Sequence, residues 1–316
     1  MKLIKEEKME QELVSVVITT YGRADKIEEA IKSVVNQTYA NIEIIVIDDN
    51  ANKLEEREKT RKVVEKYKNV KYIQNQKNLG GALSRNVGID NAKGKFIAFL
   101  DDDDKYTSEK IEKQYKCYLE HKQNKIGLIY CHCYRENVNG EIIGSYEANY
   151  EGNPIYEQML NCIAGTSLWF CSKEALVSVG KFEDTPCKQD SILLLKLLAN
   201  GYNIYCVQEK LVYYYEHNGN GISGTKLKNI EGRINLRNYC RKYYNKLNSK
   251  KKSDKVEYNF SKELIPLYII NNMKKEANKE LENMIRLKPL RKETIIAFLK
   301  CKFSEQYKQW LNRRKK

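Results

Sequence analysis

The 316-residue sequence predicts an α/β fold in which helices flank a mostly parallel sheet, with a mainly helical appendage towards the C-terminus. Two observations predict this class. Between residues 14 and 207, apolar runs of strand length alternate with stretches of helix length, which is typical of parallel sheets. From residue 226 onward the sequence is rich in lysine, asparagine and tyrosine. We therefore predict a first domain over 1–225 and a basic, mainly helical region over 226–316.

The first predicted elements follow from hydrophobic periodicity. Residues 14–20 form a continuous apolar run, whereas Ile27, Ile31 and Val34 have helical spacing. These two patterns predict strands at 14–20, 42–49, 70–75 and 95–101, and helices at 24–37, 53–67, 81–92 and 108–122. The alternation places each strand beside a helix that crosses over to the next strand.

The later elements depart from this alternation. A strand over 125–137 is followed by a turn at 137–141 and a returning strand, which predicts a hairpin. Residues 187–207 predict a helix that is capped by Asp190 and stopped at Asn200-Gly201, followed by another strand. We interpret 249–255 as a linker or an exposed turn.

Polar side chains follow three of the apolar strands. Thr19 and Tyr21 follow the first, Asp48 and Asp49 the second, and the run Asp101–Asp104 the fourth. Ligands of open α/β sheets bind at the carboxyl ends of the strands, near the point where the strand order reverses. Two carboxylates about 6 Å apart repel by ~3 kcal/mol at an effective dielectric near 20. A cation among the four aspartates would relieve this repulsion, although a solvated acidic turn is the alternative.

Three segments of the sequence resemble a known family. They are "VSVVITTYGRADKIEEAIKSVVNQTYANIEIIVIDDN", "NLGGALSRNVGIDNAKGKFIAFLDDDD" and the "KQD" that precedes a predicted helix. Their order and spacing are similar to those of the family-2 inverting glycosyltransferases, which have a GT-A fold. The resemblance extends over about 13–225 and implies a bacterial enzyme that builds a capsular, cell-wall or lipopolysaccharide-type glycan.

The resemblance implies a metal site in the acidic run. Asp101 and Asp103 would form the DxD motif, with Asp103 as the direct ligand of Mn²⁺ or Mg²⁺ and with Asp101 and Asp102 beside the nucleotide. Alternate residues of an extended backbone point to the same side, and a bound cation would neutralise the departing diphosphate. Four consecutive aspartates leave the register of the motif open by one residue.

The resemblance also implies a nucleotide site. Thr19 and Tyr21 would lie beside the base, and Asp49 would accept a hydrogen bond from a ring N–H, which suits uracil in a UDP-linked donor. Arg85, one turn into the helix of "NLGGALSRN", would pair with a phosphate or with Asp49. Ordinary turn chemistry and a structural arginine are the alternatives. We interpret Asp48 as structural.

Further residues are assigned by the same resemblance. Asp190 would be the catalytic base that removes the proton of the acceptor hydroxyl, and a helix N-cap is the alternative role. His217 would contact the metal or the diphosphate, unless it is a surface residue. Gly165, Thr166 and Trp169 would line the donor-sugar or acceptor subsite, with Trp169 equally suited to the core.

The C-terminal region carries the excess positive charge. Residues 226–316 contain 26 Lys and Arg against nine Asp and Glu, whereas the preceding residues contain 30 against 33. No nucleic-acid-binding motif is present, which argues against specific nucleic-acid binding. The segment from Phe298 to Leu311 and the basic residues after it would suit an amphipathic helix on an anionic membrane. Packing on the catalytic domain or use in a homo-oligomer is the alternative.

These observations predict a metal-dependent glycosyltransferase that uses a nucleotide sugar and a glycan or lipid-linked acceptor. No apolar run reaches the length of a membrane span, and nine scattered cysteines fit reduced thiols. We therefore expect a cytoplasmic protein, with peripheral membrane contact as an option. A nucleotidyltransferase and a non-catalytic protein that binds sugar nucleotides or polyanions are the competing functions.

Overall fold

A computed structural model describes residues 11–216 and 227–313. The described chain divides into two compact units. The first unit consists of 11–153, 164–182 and 201–216, and the second of 154–163, 183–200 and 227–313. These units interleave along the chain, so they differ from the predicted ranges 1–225 and 226–316. The division of function between those two ranges stays a prediction.

The first unit is built on one sheet, with nine strands among the described residues. The strands are β1 Val14–Thr20, β2 Ile42–Asp48, β3 Val70–Gln74, β4 Phe96–Asp101, β5 Lys105–Tyr106, β6 Ile126–Glu136, β7 Ile142–Tyr146, β8 Phe170–Ser172 and β9 Asn203–Tyr215. Their order is β3-β2-β1-β4-β8-β6-β9-β5, and β7 pairs with β6. The β1–β2, β2–β3, β1–β4 and β6–β9 pairs are parallel, and the others are antiparallel.

In the described part of this unit, four helices match the predicted alternation, and a fifth, short helix was not predicted. They are α1 Ile27–Val35, α2 Leu54–Val64, α3 Gly80–Asn91, α4 Lys110–His121 and α6 Lys173–Ser178. From β1 the chain adds β2 and β3 on one side of the sheet and then places β4 on the other side of β1. The strand order therefore reverses between β1 and β4, and this is where ligands bind in open α/β sheets.

Close packing holds α3 against the sheet. All seven residues of β1 are buried, and Gly88 of α3 faces Val17 of β1 so closely that a Cβ atom at Gly88 would lie 2.3 Å from a Val17 methyl carbon. Only glycine permits this approach. The contact lets α3 lie close against β1, and the start of α3 contributes to the site described below.

The second unit is helical in its described part. Its helices are α5 Ile155–Leu160, α7 Gln189–Ala199, α8 Leu227–Lys242, α9 Lys250–Ile270, α10 Lys274–Leu287, α11 Lys292–Lys302 and α12 Ser304–Arg313. Met159 of α5 and Ile192 of α7 share a buried cluster with Leu236 of α8 and Phe260 of α9. This shared core explains why α5 and α7 join the C-terminal helices. None of the helices in the described ranges is both long and apolar enough to span a membrane.

Three local predictions in this unit are corrected by the structure. The N-cap of α7 is Lys188, and Asp190 lies inside its first turn. Residues 249–255 are not a linker, because the Ser249 side chain accepts a hydrogen bond from the backbone N–H of Lys252 and starts α9 there. The predicted single amphipathic helix is interrupted at Phe303, between α11 and α12.

Candidate active site

The four aspartates Asp101–Asp104, here called the acidic cluster, lie at the carboxyl end of β4, beside the end of β1. Arg23, two residues beyond Tyr21, bridges two of them: Nη2 lies 2.5 Å from Asp102 Oδ1 and Nη1 lies 2.7 Å from Asp103 Oδ2. The backbone N–H of Tyr21 also donates to Asp102 Oδ2 at 3.3 Å. The ends of β1 and β4 therefore converge on one site, as the switch point of the sheet predicts.

A second arginine, Arg85, pairs with another aspartate of the acidic cluster. Arg85 of α3 is buried, and its Nη2 lies 2.5 Å from Asp101 Oδ1. The predicted alternative of a pair between Arg85 and Asp49 is therefore wrong. The backbone N–H of Asp101 donates to Ser167 Oγ at 3.2 Å, and the backbone N–H of Tyr215 donates to Asp104 Oδ1 at 2.9 Å.

Burial dominates the electrostatics of the acidic cluster. Burial raises the pKa of Asp102 to about 7, against the opposing charge of Arg23 and with a further contribution from Asp103. Burial, with Asp103 and Asp101 beside it, also raises the pKa of Asp104 well above its usual range. For Arg23, burial would lower the pKa, but Asp102 and Asp103 outweigh it and the pKa rises. The two partners differ because the Asp102 side chain is fully buried, whereas Arg23 is 37% exposed.

Some polar atoms of this site are buried without a hydrogen-bond partner among the described residues. They are Asp104 Oδ2 and, on Arg85, Nε and Nη1. Buried polar atoms are nearly always satisfied in folded proteins, so exceptions need a reason such as a missing ion or ligand. A carboxylate oxygen and guanidinium donors in one place suit a cation together with an anion.

The acidic cluster fits a metal only if a substrate completes the coordination. Within the described ranges, no group of three or more His, Cys, Asp or Glu side chains is placed to hold a metal ion by itself. The donors of the cluster are carboxylate oxygens, which suit Mg²⁺ and Mn²⁺. Mg²⁺ usually takes one or two carboxylates and fills its other positions with water and substrate phosphates, so the donor set fits such an ion.

Asp49 has a different environment from the one expected. Its carboxylate accepts four hydrogen bonds at 2.8–2.9 Å, and the donors are the side-chain amides of Asn75 and Asn78 and the backbone N–H groups of Leu79 and Gly80. Two of these donors lie at the start of α3, where an anion is favoured. Asp49 therefore orders the start of α3, and a bond to a nucleoside base, which stays a prediction, would displace one of these donors.

The other strand-end residues remain near the acidic cluster. Thr19 is nearly buried, whereas Tyr21 is 39% exposed. The Lys53 ammonium lies 4.2 Å from the centre of the Tyr21 ring and covers one of its faces. Asp48 is buried and accepts hydrogen bonds from the backbone of Asn50 and the Tyr72 hydroxyl, in agreement with its structural interpretation.

The segment 165–169 is divided between the site and the core. Gly165 precedes a short 3₁₀ helix, Thr166–Leu168, whose Ser167 binds the backbone of Asp101. Gly165 and Thr166 thus directly precede Ser167, a residue of the site, in the sequence. Trp169 is fully buried, stacks on Phe182 and donates its indole N–H to the carbonyl of Ala164. It presents no surface to a sugar, so the core alternative is correct.

Asp190 belongs to the second unit, and its approach to the acidic cluster stays a prediction. Its Oδ1 accepts hydrogen bonds from the backbone N–H and the hydroxyl of Ser191, at 2.6 and 3.2 Å. Its Oδ2 is 3.7 Å from the Cys162 thiol, which is a weak donor. The predicted metal contact of His217 lies outside the described residues.

Sequence reasoning missed three contributors to the site. Arg23 follows "TTYG", close to the end of β1. This position near a strand end could have identified it as a candidate site residue. Ser167 and Asn78 had no such signal, because their partners Asp101 and Asp49 are 66 and 29 positions away in the sequence.

Comparisons with known proteins found a family and several relatives. A family model described as Glycosyl transferase family 2 matches residues 15–184. A protein of Methanocaldococcus jannaschii, named as an uncharacterized glycosyltransferase, is 30% identical over 209 residues, which are 65% of this chain and 71% of that protein. WfaP of Escherichia coli, named as a UDP-Glc:alpha-D-GlcNAc-diphosphoundecaprenol beta-1,3-glucosyltransferase, is 29% identical over 231 residues, which are 71% of this chain and 85% of WfaP.

Solved structures show the same fold. Residues 1–349 of S. aureus TarS, in complex with UDP-GlcNAc, match 94% of this chain and 92% of that chain with a TM-score of 0.62 and 17% identity. The mannosyltransferase PcManGT from Pyrobaculum calidifontis, in complex with GDP-Man and Mn²⁺, matches 72% of this chain and 64% of that chain with a TM-score of 0.54 and 16% identity. The predicted GT-A fold is confirmed by the likeness to TarS.

Proposed function

The chain belongs to glycosyl transferase family 2, and we propose that it moves a sugar from a UDP-linked donor to a glycan or lipid-linked saccharide with inversion at the anomeric carbon. Membership of the family makes the chain a glycosyltransferase. The identity of the nucleotide, the acceptor, the metal and the stereochemistry are the parts that we propose. The name of WfaP supports a UDP-sugar donor and a diphosphate-linked lipid acceptor.

The observation that carries the proposal is the incompletely satisfied acidic cluster at the β1–β4 switch point. Three of the four carboxylates pair with two guanidinium groups there, and Asp104 Oδ2 and two nitrogens of Arg85 are buried without hydrogen-bond partners among the described residues. A nucleoside diphosphate with a divalent cation offers both missing charges: the cation for carboxylate oxygens and the phosphate oxygens for Arg85. A purely structural cluster would be satisfied within the protein.

Asp103 would hold Mn²⁺ or Mg²⁺, and such an ion would stabilise the negative charge that develops on the departing diphosphate. Asp103 is paired with Arg23 in the structure. We propose that Arg23 turns to the diphosphate when the donor enters, because a guanidinium group binds phosphate in two-point geometry. Arg85 keeps Asp101 in place from the opposite side.

Asp190 would remove the proton of the acceptor hydroxyl during attack on the anomeric carbon. Ser191 holds Oδ1 through two hydrogen bonds, which orients the carboxylate, and Oδ2, whose described contact is the weak thiol donor of Cys162, would take the proton. A single base without a covalent intermediate leads to inversion, because the acceptor oxygen enters from the face opposite to the leaving diphosphate. Tyr21, which is partly exposed, would contact the base of the nucleotide.

The test is the release of UDP from UDP-Glc and UDP-GlcNAc, with Mn²⁺ and with a GlcNAc-diphosphoryl lipid as the acceptor. We expect Asp190→Asn to lower kcat by about 100-fold or more, since general base catalysis contributes 10²–10⁴-fold. Binding of UDP to this variant should be unchanged.

Asp184→Asn is the matched control, because Asp184 is exposed and lies in the same unit, six residues before Asp190. This variant should keep the activity of the unmodified chain. Full activity of Asp190→Asn would refute the role of Asp190. If UDP binds and no UDP-sugar is turned over, the chain is a non-catalytic binding protein and the proposal fails.

A further inference from the structure

Helix α11 has large apolar side chains on the side that faces away from its own unit. Its buried residues are Thr294, Ala297 and Cys301, which are small and recur at helical spacing. Ile295, Ile296, Phe298 and Leu299 are 39–51% exposed. A surface helix normally turns its large apolar side chains towards the core. In α11 this arrangement is reversed.

Contacts of the inward face of α11 fix the rotation of the helix about its own axis. The large apolar side chains therefore face outward because of these contacts. The Thr294 hydroxyl is 2.9 Å from the Tyr258 hydroxyl of α9 and donates to the carbonyl of Lys288. Ala297 and Cys301 belong to a buried cluster that also contains Leu281 and Met284 of α10. A rotation that buried Phe298 and Leu299 would have to break these contacts.

The exposed apolar surface extends beyond α11. Leu290, before α11, is 91% exposed, and Phe303 and Trp310, after it, are 47% and 46% exposed. Large exposed apolar side chains that are concentrated in one segment often mark an interaction site. Tyr307 stacks with Trp310, and aromatic rings of this type are favoured at the interface between lipid and water.

The positive charge around this surface favours an anionic partner. Residues 288–313 contain seven Lys and Arg against two Glu. On α11, Lys292 precedes the exposed apolar residues, and Lys300 and Lys302 follow them. Lysine stems lie along apolar surface while their ammonium groups reach the headgroups. Two copies of the chain that met through this face would bring two basic surfaces together, which disfavours a second copy as the partner.

We propose that α11, with Leu290, Phe303 and Trp310, is a membrane-binding face that inserts apolar side chains at the surface of a bilayer rich in anionic phospholipid. Shallow insertion combined with attraction between lysine and headgroup phosphate gives reversible binding at the interface. The face contains none of the residues of the acidic cluster. It holds the enzyme at a surface without taking part in sugar transfer.

The first test is co-sedimentation of the full chain with two kinds of vesicle, one of phosphatidylcholine alone and one of phosphatidylcholine and phosphatidylglycerol at about 7:3. We expect the partition coefficient to be about tenfold higher or more on the anionic vesicles, and to fall at high salt. Equal binding to both vesicles, or no binding to either, would overturn the proposal without any variant being needed.

The second test replaces the apolar face. We expect Phe298→Ser with Leu299→Ser to lower partition into anionic vesicles about tenfold. The matched control is Ile142→Ser with Ile143→Ser, an adjacent exposed apolar pair on β7, which should change nothing. An equal loss in both double variants would show a general effect of surface hydrophobicity and would refute the assignment to α11.

The remaining outcome is self-association. If light scattering shows a dimer that the Phe298→Ser and Leu299→Ser changes dissociate, the face binds a second copy and the membrane proposal is wrong. Release of UDP from a UDP-sugar in detergent should be the same in all variants. This readout separates a failure of the membrane proposal from a failure of the proposed transfer activity.

Discussion

The two units each contain a group of carboxylates and guanidinium ions that is at least partly buried, but the two groups are built differently. In the second unit, Glu257 accepts hydrogen bonds from Arg237, Arg241 and the Tyr244 hydroxyl, and Arg237 also pairs with Glu280. We call Arg237, Arg241, Glu257 and Glu280 the arginine–glutamate network. None of its atoms is among the buried, unpartnered atoms of the described residues.

The pKa shifts of the two groups run in opposite directions. Burial would raise the pKa of Glu257, but the bonds from Arg241 and Arg237 outweigh it and lower the pKa to about 2. In the acidic cluster, burial prevails and raises the pKa of Asp102 to about 7. Satisfied charges stabilise a fold, whereas incompletely satisfied charges at a strand end mark a candidate functional site. The difference is the reason why we propose the acidic cluster, and not the arginine–glutamate network, as the binding site.

The largest effect should come from Asp103→Asn in the acidic cluster. Loss of this carboxylate removes the proposed metal ligand, so we expect kcat for UDP-sugar transfer to fall by about 100-fold or more. The melting temperature should change little, because the variant also removes one of four crowded charges. Asp25→Asn, an exposed residue of the same unit, is the control. If Asp103→Asn has a clearly lower melting temperature and an unchanged kcat for sugar transfer, the acidic cluster is structural, as the arginine–glutamate network is.

Glu257→Gln should have the reverse outcome. It leaves Arg237 buried with one fewer carboxylate, and breaking a buried ion pair in this way costs about 3 kcal/mol of unfolding free energy. Transfer measured well below the melting temperature should stay within about twofold of the unmodified chain. Glu282→Gln, at an exposed position of α10, should leave the unfolding free energy unchanged. If the folded Glu257→Gln variant lost its transfer activity, the arginine–glutamate network would not be purely structural, and the contrast with the acidic cluster would be wrong.

A smaller effect concerns pH. The raised pKa of Asp102 means that its contribution to stability is full below about pH 4 and is lost as the pH rises towards 7, by at most about 1.4 kcal/mol per pH unit. The lowered pKa of Glu257 means that its contribution is present above about pH 4.5 and is lost as the pH falls towards 2.

Urea unfolding of the unmodified chain, Asp102→Asn and Glu257→Gln between pH 3.5 and 7.5 measures both slopes. The advantage of the unmodified chain over Asp102→Asn should shrink as the pH rises. Its advantage over Glu257→Gln should shrink as the pH falls below about 4.5. Slopes of the same sign would show that the two groups do not differ in the way described.

The sequence predicted the parts of the fold that are encoded locally. The continuous apolar runs of β1, β2 and β4 predicted buried parallel strands, and the helical spacing of Ile27, Ile31 and Val34 predicted α1. The strands β5 and β8 have two and three residues, and they depend on partners distant in the sequence. No local pattern encodes such short strands, so they were missed.

The candidate site divides in the same way. Its acidic residues were found because they follow apolar strands, but their partners were not. The four donors to Asp49 come from the segment 75–80, and only the folded chain brings them together. Trp169 was ambiguous because a large aromatic residue suits both a sugar subsite and a core. The sequence suggested an amphipathic helix over Phe298–Leu311, but it left open whether the large apolar residues pack inward or face outward, since the pattern does not show which side a neighbour covers.

Calorimetric titration of UDP into the unmodified chain, with and without Mn²⁺, tests the central claim most directly. The acidic cluster should bind UDP with a Kd at least about tenfold lower in the presence of Mn²⁺, and Asp103→Asn should abolish this difference. Binding of UDP that is indifferent to Mn²⁺, or a difference that persists in Asp103→Asn, would contradict the account of the acidic cluster as the site of the metal and the diphosphate.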